Sequence, residues 1–595
     1  MSSKRAGSPG SGATGSKRTR AADSRQGGSE RSGWKKVNPD LLRWGLGAAV
    51  TLIAAGVVWS VANPLPHLGG DNAGYIALAH GLLVNGAYTD VFDPQNLPHT
   101  KYPPVFSAIL ATLIALGARS WVALKTVAGA ATVVSVLFTY LWAQRTLRPV
   151  AAFAVALLMA LSVGVVYYSQ WVLSDPVFVA FTMVALYALA RAEGDETAEG
   201  VAVGWLAAGV VLAGLAYFTR SAGLPLVLAV LAWLALRRAW RLLAASGVVL
   251  GVPMLVWLLR GRSGGVAQYQ SEFWMVNPYD PSLGTVGFGG LVGRVLENSV
   301  GYVTRHLPMG VVGADAPAVG LAGGALVGAA LVGWGLRARR RPGPAEIFFP
   351  LYWGVILLWP TVWSGDRFAL PLLPLVFLYG AVALHAGTRK LPDAVVPALA
   401  TAVVLALLLP AAADWRQTAR ASSACPMEVR SQSVWACYGP RVQSFMTAAT
   451  WSSTGLPDGS AVLSRKPRHF YLQSGVPSRA FAFYEDPDPH LELADALGAR
   501  YILLDQWDGF ARRYVGSAVS RRPGAFCFVQ GFGSPASGGS QLLGVRAPDA
   551  RDATAGDGGD VRVERCPDDY LTGLEPEAEA YSSSGRIPLL EGLDS

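Results

Sequence analysis

Charged residues are scarce in this chain of 595 residues, since Asp, Glu, Lys and Arg make up only 15% of it while 52% of the residues are hydrophobic. Soluble globular domains carry about 25% charged residues, so the composition excludes an ordinary soluble protein. Long apolar runs predict a polytopic α-helical membrane protein instead. The net charge of +9 is concentrated in the N-terminal tail and in short loops, where membrane orientation explains it. We therefore expect no nucleic-acid partner.

Cysteine is also scarce, and none of the four cysteines lies in an apolar run: they are Cys425, Cys437, Cys527 and Cys566. An even set confined to the C-terminal part suggests an oxidising compartment, with four free thiols as the alternative. Pairing Cys425 with Cys437 and Cys527 with Cys566 is a guess, and two other connectivities are open. Because no C-x-x-C pair is present, we expect no zinc site.

Apolar runs of spanning or near-spanning length predict about eleven transmembrane helices. The predicted spans are Leu41–Ala62, Trp121–Trp142, Val150–Tyr168, Pro176–Ala190, Val201–Phe218, Leu224–Leu236, Leu242–Leu259, Val319–Leu336, Ile347–Trp363, Leu370–Ala386 and Ala394–Ala413. The shorter run Val105–Gly117 is predicted to lie at the membrane interface, because only then do all the basic loop clusters fall on the cytoplasmic side. The N-terminus is then cytoplasmic, and loops 63–120 and 260–318 share the outer face of the plasma membrane with the C-terminal domain.

Four regions follow from these patterns. They are a disordered basic cytoplasmic tail (1–40), a transmembrane domain (41–413), an extracytoplasmic α/β domain (414–548) and an acidic, Gly/Ser-rich mobile tail (549–595).

The α/β domain is predicted to be a small doubly wound module. Its strands are expected at Ala461–Ser464, Ala480–Phe483 and Tyr501–Asp505, and its helices at Lys466–Ser474 and His490–Leu497. No G-x-G-x-x-G or Walker motif is present in it, so a nucleotide role has no support.

The polar loop after the first apolar run carries the strongest functional signal. It places Asp71 at a membrane surface, ahead of an amphipathic helix and the segment Lys101-Tyr102-Pro103-Pro104. A carboxylate beside an interfacial helix, with a cation nearby, suits a lipid-borne anion. The candidate site residues that share this face are Asp71, Asn72, Tyr75, His99, Lys101, Tyr102, Asp175, Arg220, Glu272 and Arg367.

Several of these candidates also have simpler explanations. Asp175 precedes Pro176 where a helix N-cap belongs, and Arg220 and Arg367 fit the pattern of interfacial snorkelling residues. The aromatic residues around Glu272 are typical either of an acceptor groove or of an interfacial aromatic belt. The mixture of acids and cations on one membrane face favours a functional site.

Sugar transfer from a polyprenyl phosphate would use such a set of residues. It needs a carboxylate to orient or deprotonate the acceptor, and cations to hold the departing phosphate. On this hypothesis Asp71 is the base or orienting group, Asp175 supports the sugar or the acceptor, and the phosphate is bound by Lys101, Arg220 and Arg367. A polyprenyl-lipid or solute transporter or flippase is the main alternative, and it is disfavoured because the charges avoid the membrane midplane. A receptor or assembly scaffold is a third possibility.

Taken together, six segments resemble the GT-C superfamily, in particular the protein O-mannosyltransferases and lipid A aminoarabinose transferases. They are GDNAGYIALAHGLLVNGAY (70–88), KYPP (101–104), SQWVLSDPVFVAF (169–181), YFTRSAGLPL (217–226), NPYDPSLG (277–284) and DRFALPLLPL (366–375). The resemblance covers about residues 41–413 and implies a catalytic acid in the first outer loop, matching Asp71. It implies a second acid after the following outer loop, matching Asp175.

The resemblance also implies an activity. It is that of an integral-membrane glycosyltransferase that moves a sugar from a polyprenyl-phosphate donor, with inversion, to an extracytoplasmic protein, lipid or envelope glycan. Many relatives carry Asp-Glu where this chain has Asp71-Asn72, so a two-carboxylate arrangement is absent from the loop, and a divalent cation is left open as a cofactor. The segment SRKPRHFYLQSG (464–475) resembles tails of some bacterial members of the superfamily and is given no role beyond a suggested part in acceptor recognition.

Overall fold

Helices form at the predicted apolar runs in the computed structural model of the protein. The structure describes residues 38–194, 201–262, 268–314, 317–340, 342–392, 395–422, 424–426, 429, 433–551, 563–572, 586–591 and 593. Most of the predicted N-terminal tail, residues 1–37, lies outside the described residues. The first helix, α1 (Pro39–Ser60), begins where the Asn38 side chain accepts a hydrogen bond from the backbone N–H of Asp40.

The helices that follow α1 lie both at the predicted apolar runs and within the two predicted outer loops. They are α2 (Gly70–Asn85), α3 (Val105–Ala115), α4 (Trp121–Ala143), α5 (Pro149–Leu161), α6 (Val163–Tyr168), α7 (Ser174–Ala192), α8 (Val203–Thr219), α9 (Leu224–Leu236), α10 (Trp240–Arg262), α11 (Gln268–Trp274), α12 (Phe288–Gly301), α13 (Leu307–Val312), α14 (Pro317–Ala338), α15 (Pro344–Leu358), α16 (Asp366–Ala369), α17 (Leu373–Gly387) and α18 (Val395–Ser422). Loop 63–120 thus contains α2 and α3, and loop 260–318 contains α11 to α13. The predicted single run Val150–Tyr168 is divided at Ser162, whose backbone leaves the helical conformation.

Seven described helices are long and apolar enough to cross a membrane: Pro39–Ser60, Trp121–Ala143, Ser174–Ala192, Trp240–Arg260, Pro317–Ala338, Asp366–Lys390 and Val395–Ser422. Four shorter apolar helices coincide with the remaining predicted spans: Pro149–Leu161, Val203–Thr219, Ser221–Leu236 and Pro344–Leu358. The short helix Val105–Ala115 is the segment predicted to lie at the interface. The chain is therefore a multi-pass helical membrane protein.

Helices α14 and α17 pack backbone against backbone. A Cβ atom added at Gly333 would lie 1.9 Å from the carbonyl oxygen of Tyr379, so only glycine fits there. The buried Tyr379 hydroxyl donates to Oε1 of Glu346 at 3.2 Å, and Arg337 donates to the same oxygen at 2.8 Å. The backbone N–H of Gly343 donates to Oε2 at 3.0 Å, so three partners satisfy this buried carboxylate.

The C-terminal domain, defined here as residues 433–551 and 563–572, contains a mixed five-stranded sheet. Its strands are β1 (Val462–Leu463), β2 (Ser478–Arg479), β3 (Tyr501–Leu504), β4 (Phe526–Phe532) and β5 (Ser540–Val545), in the order β2-β1-β3-β5-β4. Strands β2, β1 and β3 are parallel, whereas β5 pairs antiparallel with both β3 and β4. The predicted doubly wound module therefore holds only for the parallel half of the sheet.

The helices of this domain are α19 (Pro440–Gly455), α20 (Pro467–Ser474), α21 (Asp488–Leu497) and α22 (Ser517–Arg521). The predictions Lys466–Ser474 and His490–Leu497 match α20 and α21 within two residues. The predicted strand Ala480–Phe483 is wrong, because pairing with β1 occurs at Ser478–Arg479 instead. The antiparallel strands β4 and β5 were not predicted.

Two disulfides tie the C-terminal part together. Cys425–Cys437 has a Cα–Cα distance of 5.8 Å, and Cys527–Cys566 has one of 4.9 Å. The second disulfide fixes segment 563–572 beside β4, inside the predicted mobile tail 549–595.

That tail is not uniformly detached from the fold. Ile587 and Leu590, at the short helix α23 (Pro588–Glu591), are buried, and the backbone N–H of Ile587 donates to the carbonyl of Arg119. Ile587 and Leu590 are held because they join an apolar cluster with side chains of α2, α3 and α20, and α23 packs on α20.

The C-terminal domain is bonded to loop 63–120. The backbone N–H of Ser478 donates to the Phe92 carbonyl at 2.6 Å, and Nη2 of Arg479 donates to Oδ1 of Asp93 at 3.0 Å. The ring of His469 hydrogen-bonds the His67 carbonyl at 2.9 Å. These contacts hold the C-terminal domain against loop 63–120, which contains Asp71.

Candidate active site

Asp71 is the second residue of α2 and lies at the centre of the polar cluster. Its Oδ1 accepts a hydrogen bond from the Tyr102 hydroxyl at 2.7 Å, and its Oδ2 accepts one from Nη1 of Arg367 at 2.8 Å. Gly69 is the N-cap of α2, so the carboxylate has a role other than helix capping. The side chain is 34% exposed, which leaves it accessible to a substrate group.

Asp175 is the second residue of α7 and is 4% exposed. Its Oδ2 accepts hydrogen bonds from Nη1 of Arg220 at 2.8 Å and from Nε of Arg367 at 2.7 Å. The N-cap of α7 is Leu173, and the Asp175 carboxylate faces these two guanidinium groups. Arg367 therefore joins the two carboxylates that the sequence predicts to be catalytic.

The two arginines lie at the ends of apolar helices, Arg220 directly after α8 and Arg367 within α16. Their guanidinium groups are directed at carboxylates, so simple snorkelling does not account for them. Arg220 also donates to Oγ of Ser174 at 3.1 Å, and that hydroxyl hydrogen-bonds the buried Tyr75 hydroxyl at 2.7 Å. Tyr75 thus holds the start of α7 in place beside the arginines.

Lys101 and Glu272 form an ion pair between the two predicted outer loops. Nζ of Lys101 donates to Oε2 of Glu272 at 2.7 Å, and the two side chains are 15% and 13% exposed. The ammonium group also lies 5.4 Å from the ring centre of Trp363. Lys101 reaches the site, but its charge is already compensated by Glu272.

Two predicted binding residues instead support the loop. His99 is buried, donates from Nδ1 to Asp90 at 2.6 Å and accepts the Tyr102 backbone N–H at Nε2 at 2.8 Å. Asn72 is 1% exposed, and its amide contacts the His67 ring at 2.9 Å. Both side chains are buried and hydrogen-bonded within the protein, and their contact with a substrate stays a prediction.

Arg468, from α20 of the C-terminal domain, was missed by the sequence reasoning. Its Nη1 donates to the Tyr102 hydroxyl at 3.1 Å and lies 3.9 Å from Oδ1 of Asp71. The basic run Ser464–His469 is the only signal in the sequence, and nothing in it links Arg468 to an acid almost 400 residues earlier in the chain.

The charges around Asp71 act on its pKa in opposite directions. Burial is the largest influence and raises the pKa, but Arg367, Arg468 and the hydrogen bond from Tyr102 lower it and together hold it below the usual range. Asp71 is thus a carboxylate at neutral pH. Burial lowers the pKa of Lys101, against the raising effect of Glu272.

A cavity of about 480 Å³ lies beside Asp366, the residue that precedes Arg367 in α16. It is lined by Glu297, Asn298, Gly301, Arg305, His306, Met309, Thr361, Ser364, Gly365 and Asp366. Among the residues that the structure describes, no three His, Cys, Asp or Glu side chains are grouped to hold a metal ion. The cluster instead pairs each acid with guanidinium groups.

Comparison with known proteins agrees with this fold. Residues 101–259 match the family described as dolichyl-phosphate-mannose-protein mannosyltransferase. No curated protein matches the chain. The matched segment includes Lys101, Asp175 and Arg220.

The fold is similar to that of two solved membrane enzymes. One is the archaeal oligosaccharyltransferase AglB from Archaeoglobus fulgidus, solved with an inhibitory peptide and a dolichol-phosphate (TM-score 0.51, 16% identity, 83% of this chain and 74% of that one). The other is ArnT from Cupriavidus metallidurans bound to undecaprenyl phosphate (TM-score 0.50, 13% identity, 85% and 98%). The chain therefore shares the fold of these two proteins, and its residues 101–259 share the sequence pattern of the mannosyltransferase family.

Proposed function

We propose that the protein is an integral-membrane glycosyltransferase that moves a sugar from a polyprenyl-phosphate donor to an extracytoplasmic acceptor. The observation that carries the proposal is the pairing of two acids from separate helix starts, Asp71 and Asp175, by the single guanidinium group of Arg367. A lipid-linked phosphate is also the ligand named for both solved relatives. The acceptor belongs to one of three classes: protein, lipid or envelope glycan.

In the proposed reaction, an acceptor hydroxyl attacks the anomeric carbon of the donor sugar while the bond from that carbon to the phosphate oxygen breaks. Attack from the side opposite the phosphate inverts the anomeric configuration. The acceptor proton passes to Asp71, and the departing phosphate keeps the electron pair of the broken bond. Arg367 and Arg220 stabilise the charge that develops on the phosphate.

Ion pairing in the cluster explains how a carboxylate with a low pKa can act as a base. With Arg367 bound to its Oδ2, Asp71 is a weak base that mainly orients the acceptor. A donor phosphate competes for the same guanidinium group, and withdrawal of Arg367 raises the pKa of Asp71. Donor binding thus prepares the carboxylate for the proton. Asp175 is more deeply buried and keeps Arg220 and Arg367 oriented.

Loop charge supports the proposed orientation in the plasma membrane. Arg145 and Arg337 lie together at the helix ends remote from Asp71, where they donate to the Gly194 carbonyl and the Thr146 hydroxyl, respectively. Positive loop charge marks the cytoplasmic side, so the cluster around Asp71 and the C-terminal domain face outward. A flippase is less favoured, because these charges collect at helix ends on one face.

The proposal is tested by supplying the purified protein with radiolabelled polyprenyl-phosphate sugars and membrane extract as acceptor. The wild-type protein is compared with Asp71→Asn, and Asp569→Asn serves as the matched control because Asp569 is a 65% exposed acid of the C-terminal domain. Loss of a general base lowers turnover by about 100- to 10,000-fold, so Asp71→Asn should lose transfer while still binding donor. Asp569→Asn should transfer as the wild type does.

Two results would contradict the proposal. One is equal transfer by wild type and Asp71→Asn. The other is movement of labelled lipid across vesicles without any sugar transfer, which would favour the flippase.

A further inference from the structure

Helix α20 of the C-terminal domain packs directly on α2, which carries Asp71. The Tyr471 hydroxyl lies 3.3 Å from Nδ1 of His80, and the Arg468 side chain crosses α2 at Gly74. A Cβ atom added at Gly74 would lie 2.9 Å from Cδ and 3.0 Å from Nη1 of Arg468. Glycine at this position therefore leaves the space through which the arginine reaches the site.

The guanidinium group of Arg468 ends on the hydroxyl that holds Asp71. Nη1 of Arg468 donates to the Tyr102 hydroxyl at 3.1 Å, and that hydroxyl donates to Oδ1 of Asp71 at 2.7 Å. The guanidinium carbon also lies 5.2 Å from the ring centres of Phe92 and Tyr102. The arginine is 18% exposed, so these aromatic faces and the hydrogen bond fix it in one position.

Two guanidinium groups thus approach Asp71 from different domains and at different oxygens. Arg367 of the transmembrane domain binds Oδ2, while the Arg468–Tyr102 pair binds Oδ1. When a donor phosphate draws Arg367 away, Oδ1 stays anchored and Oδ2 becomes free to receive the acceptor proton. A carboxylate held by one oxygen keeps the other aimed, which is the geometric requirement of a general base.

We propose that Arg468, supplied by the C-terminal domain, is a positioning residue that fixes the Asp71 carboxylate through Tyr102, so that the active site is complete only when the two domains are docked. This inference rests on the proposed function, because it assigns a part in the same transfer reaction. It gives segment 464–475 a role in organising the catalytic acid.

The first test compares the turnover of Arg468→Ala, Arg468→Lys and a matched control. Removal of one charge-assisted hydrogen bond lowers kcat by roughly 10- to 150-fold, and lysine should restore part of the lost kcat. Arg479→Gln is the control, because Arg479 also joins the domain to loop 63–120 but pairs with Asp93, outside the site. It should keep the wild-type kcat.

The pH profile gives a readout that a purely structural role would leave unchanged. Arg468 lowers the pKa of Asp71, so Arg468→Ala should move the acid limb of the kcat/KM profile to higher pH. The other charged groups that act on or near Asp71 are Arg367, Lys101, Lys466, Arg220 and Asp175, all retained in the variant, while burial keeps His67 neutral by lowering its pKa to about 3. An unchanged acid limb together with wild-type kcat would overturn the inference.

Gly74→Ala displaces the same arginine without changing any charge. It should lower kcat in the wild-type background and have little further effect in Arg468→Ala, because the two substitutions disturb one contact. Equal effects in both backgrounds would count against the inference.

Thermal unfolding separates this inference from the proposed function. Asp71→Asn, Arg468→Ala and the double variant are compared with wild type in detergent, where coupling is measured without any donor. Non-additive shifts of the thermal midpoint would support the contact between Arg468 and Asp71 through Tyr102. This holds even if no sugar of the panel is transferred, because absence of transfer weakens only the proposed function. Additive midpoints would reject the inference, even if Asp71→Asn abolishes transfer.

Discussion

Arg367 is the side chain whose replacement tests the site most directly, because it uses two different nitrogens on two different acids. Nε binds Asp175 at 2.7 Å and Nη1 binds Asp71 at 2.8 Å. Lysine keeps the positive charge but presents a single ammonium group and cannot reproduce this fork. Arg367→Lys therefore removes one of the two hydrogen bonds, whereas Arg367→Gln removes the charge as well.

The sizes of the two effects follow from these contacts. A hydrogen bond to a charged group contributes about 1.5–3 kcal/mol, and each 1.36 kcal/mol of barrier is about tenfold in rate. Loss of one bond predicts a fall in kcat/KM of roughly 10- to 150-fold for Arg367→Lys. The lower end applies if the bond to Asp71 is lost, since that side chain is 34% exposed and solvent screens it. Arg367→Gln should fall by roughly 100- to 10,000-fold.

The assay is sugar transfer from the labelled polyprenyl-phosphate donor, measured over a range of donor concentrations. Arg500→Gln is the matched control, because Arg500 pairs with Asp569 at 2.6 Å at an exposed position (46% and 65%) and should have no effect on transfer. Wild-type kcat/KM in Arg367→Lys would refute the argument. The argument would also be refuted if kcat/KM fell no further in Arg367→Gln than in Arg367→Lys.

Two further predictions concern stability. Burial raises the pKa of Asp505 to about 7, above its value in the unfolded chain, so the free energy of unfolding falls as pH rises from about 4 to 7. Asp505→Asn should therefore raise the free energy of unfolding most at pH 8, by up to about 4 kcal/mol, and this is measured as a higher thermal midpoint. A gain that is independent of pH would contradict this prediction. Gly333→Ala places a methyl group 1.9 Å from the Tyr379 carbonyl oxygen and should lower the free energy of unfolding by about 1–3 kcal/mol or more. Gly335→Ala, in the same helix, is the control, because a methyl group there has no neighbour within 4 Å. Equal thermal midpoints for the two variants would contradict the packing argument.

The sequence pattern was sufficient to predict the positions of the helices and much of the polar cluster. Apolar runs must be helical in a membrane, so span positions follow from hydropathy. Asp71, Asp175 and Arg367 could be grouped because each lies at a helix start on one predicted face. The structure adds that one guanidinium group joins both acids, which no spacing along the chain encodes.

Other parts depended on contacts between segments far apart in the chain. Arg468 reaches the site through the docking of α20 on α2, and no local pattern reports that docking. His99 and Asn72 sit beside the right residues in sequence but are turned inward by burial. Strand β5 is stabilised by pairing with β3 and β4 by pairing with β5, so their local sequence is a weak guide.

The contribution of Arg468 has a consequence for protein engineering. A hybrid enzyme made by joining the transmembrane helices to a foreign C-terminal domain at residue 414 would lack this cation and the partners of Phe92 and Asp93 on β2. The C-terminal domain and loop 63–120 are thus not separable modules in this chain. Grafts that exchange residues 63–120 and 433–551 together preserve their mutual contacts, so the two segments should be varied as one unit.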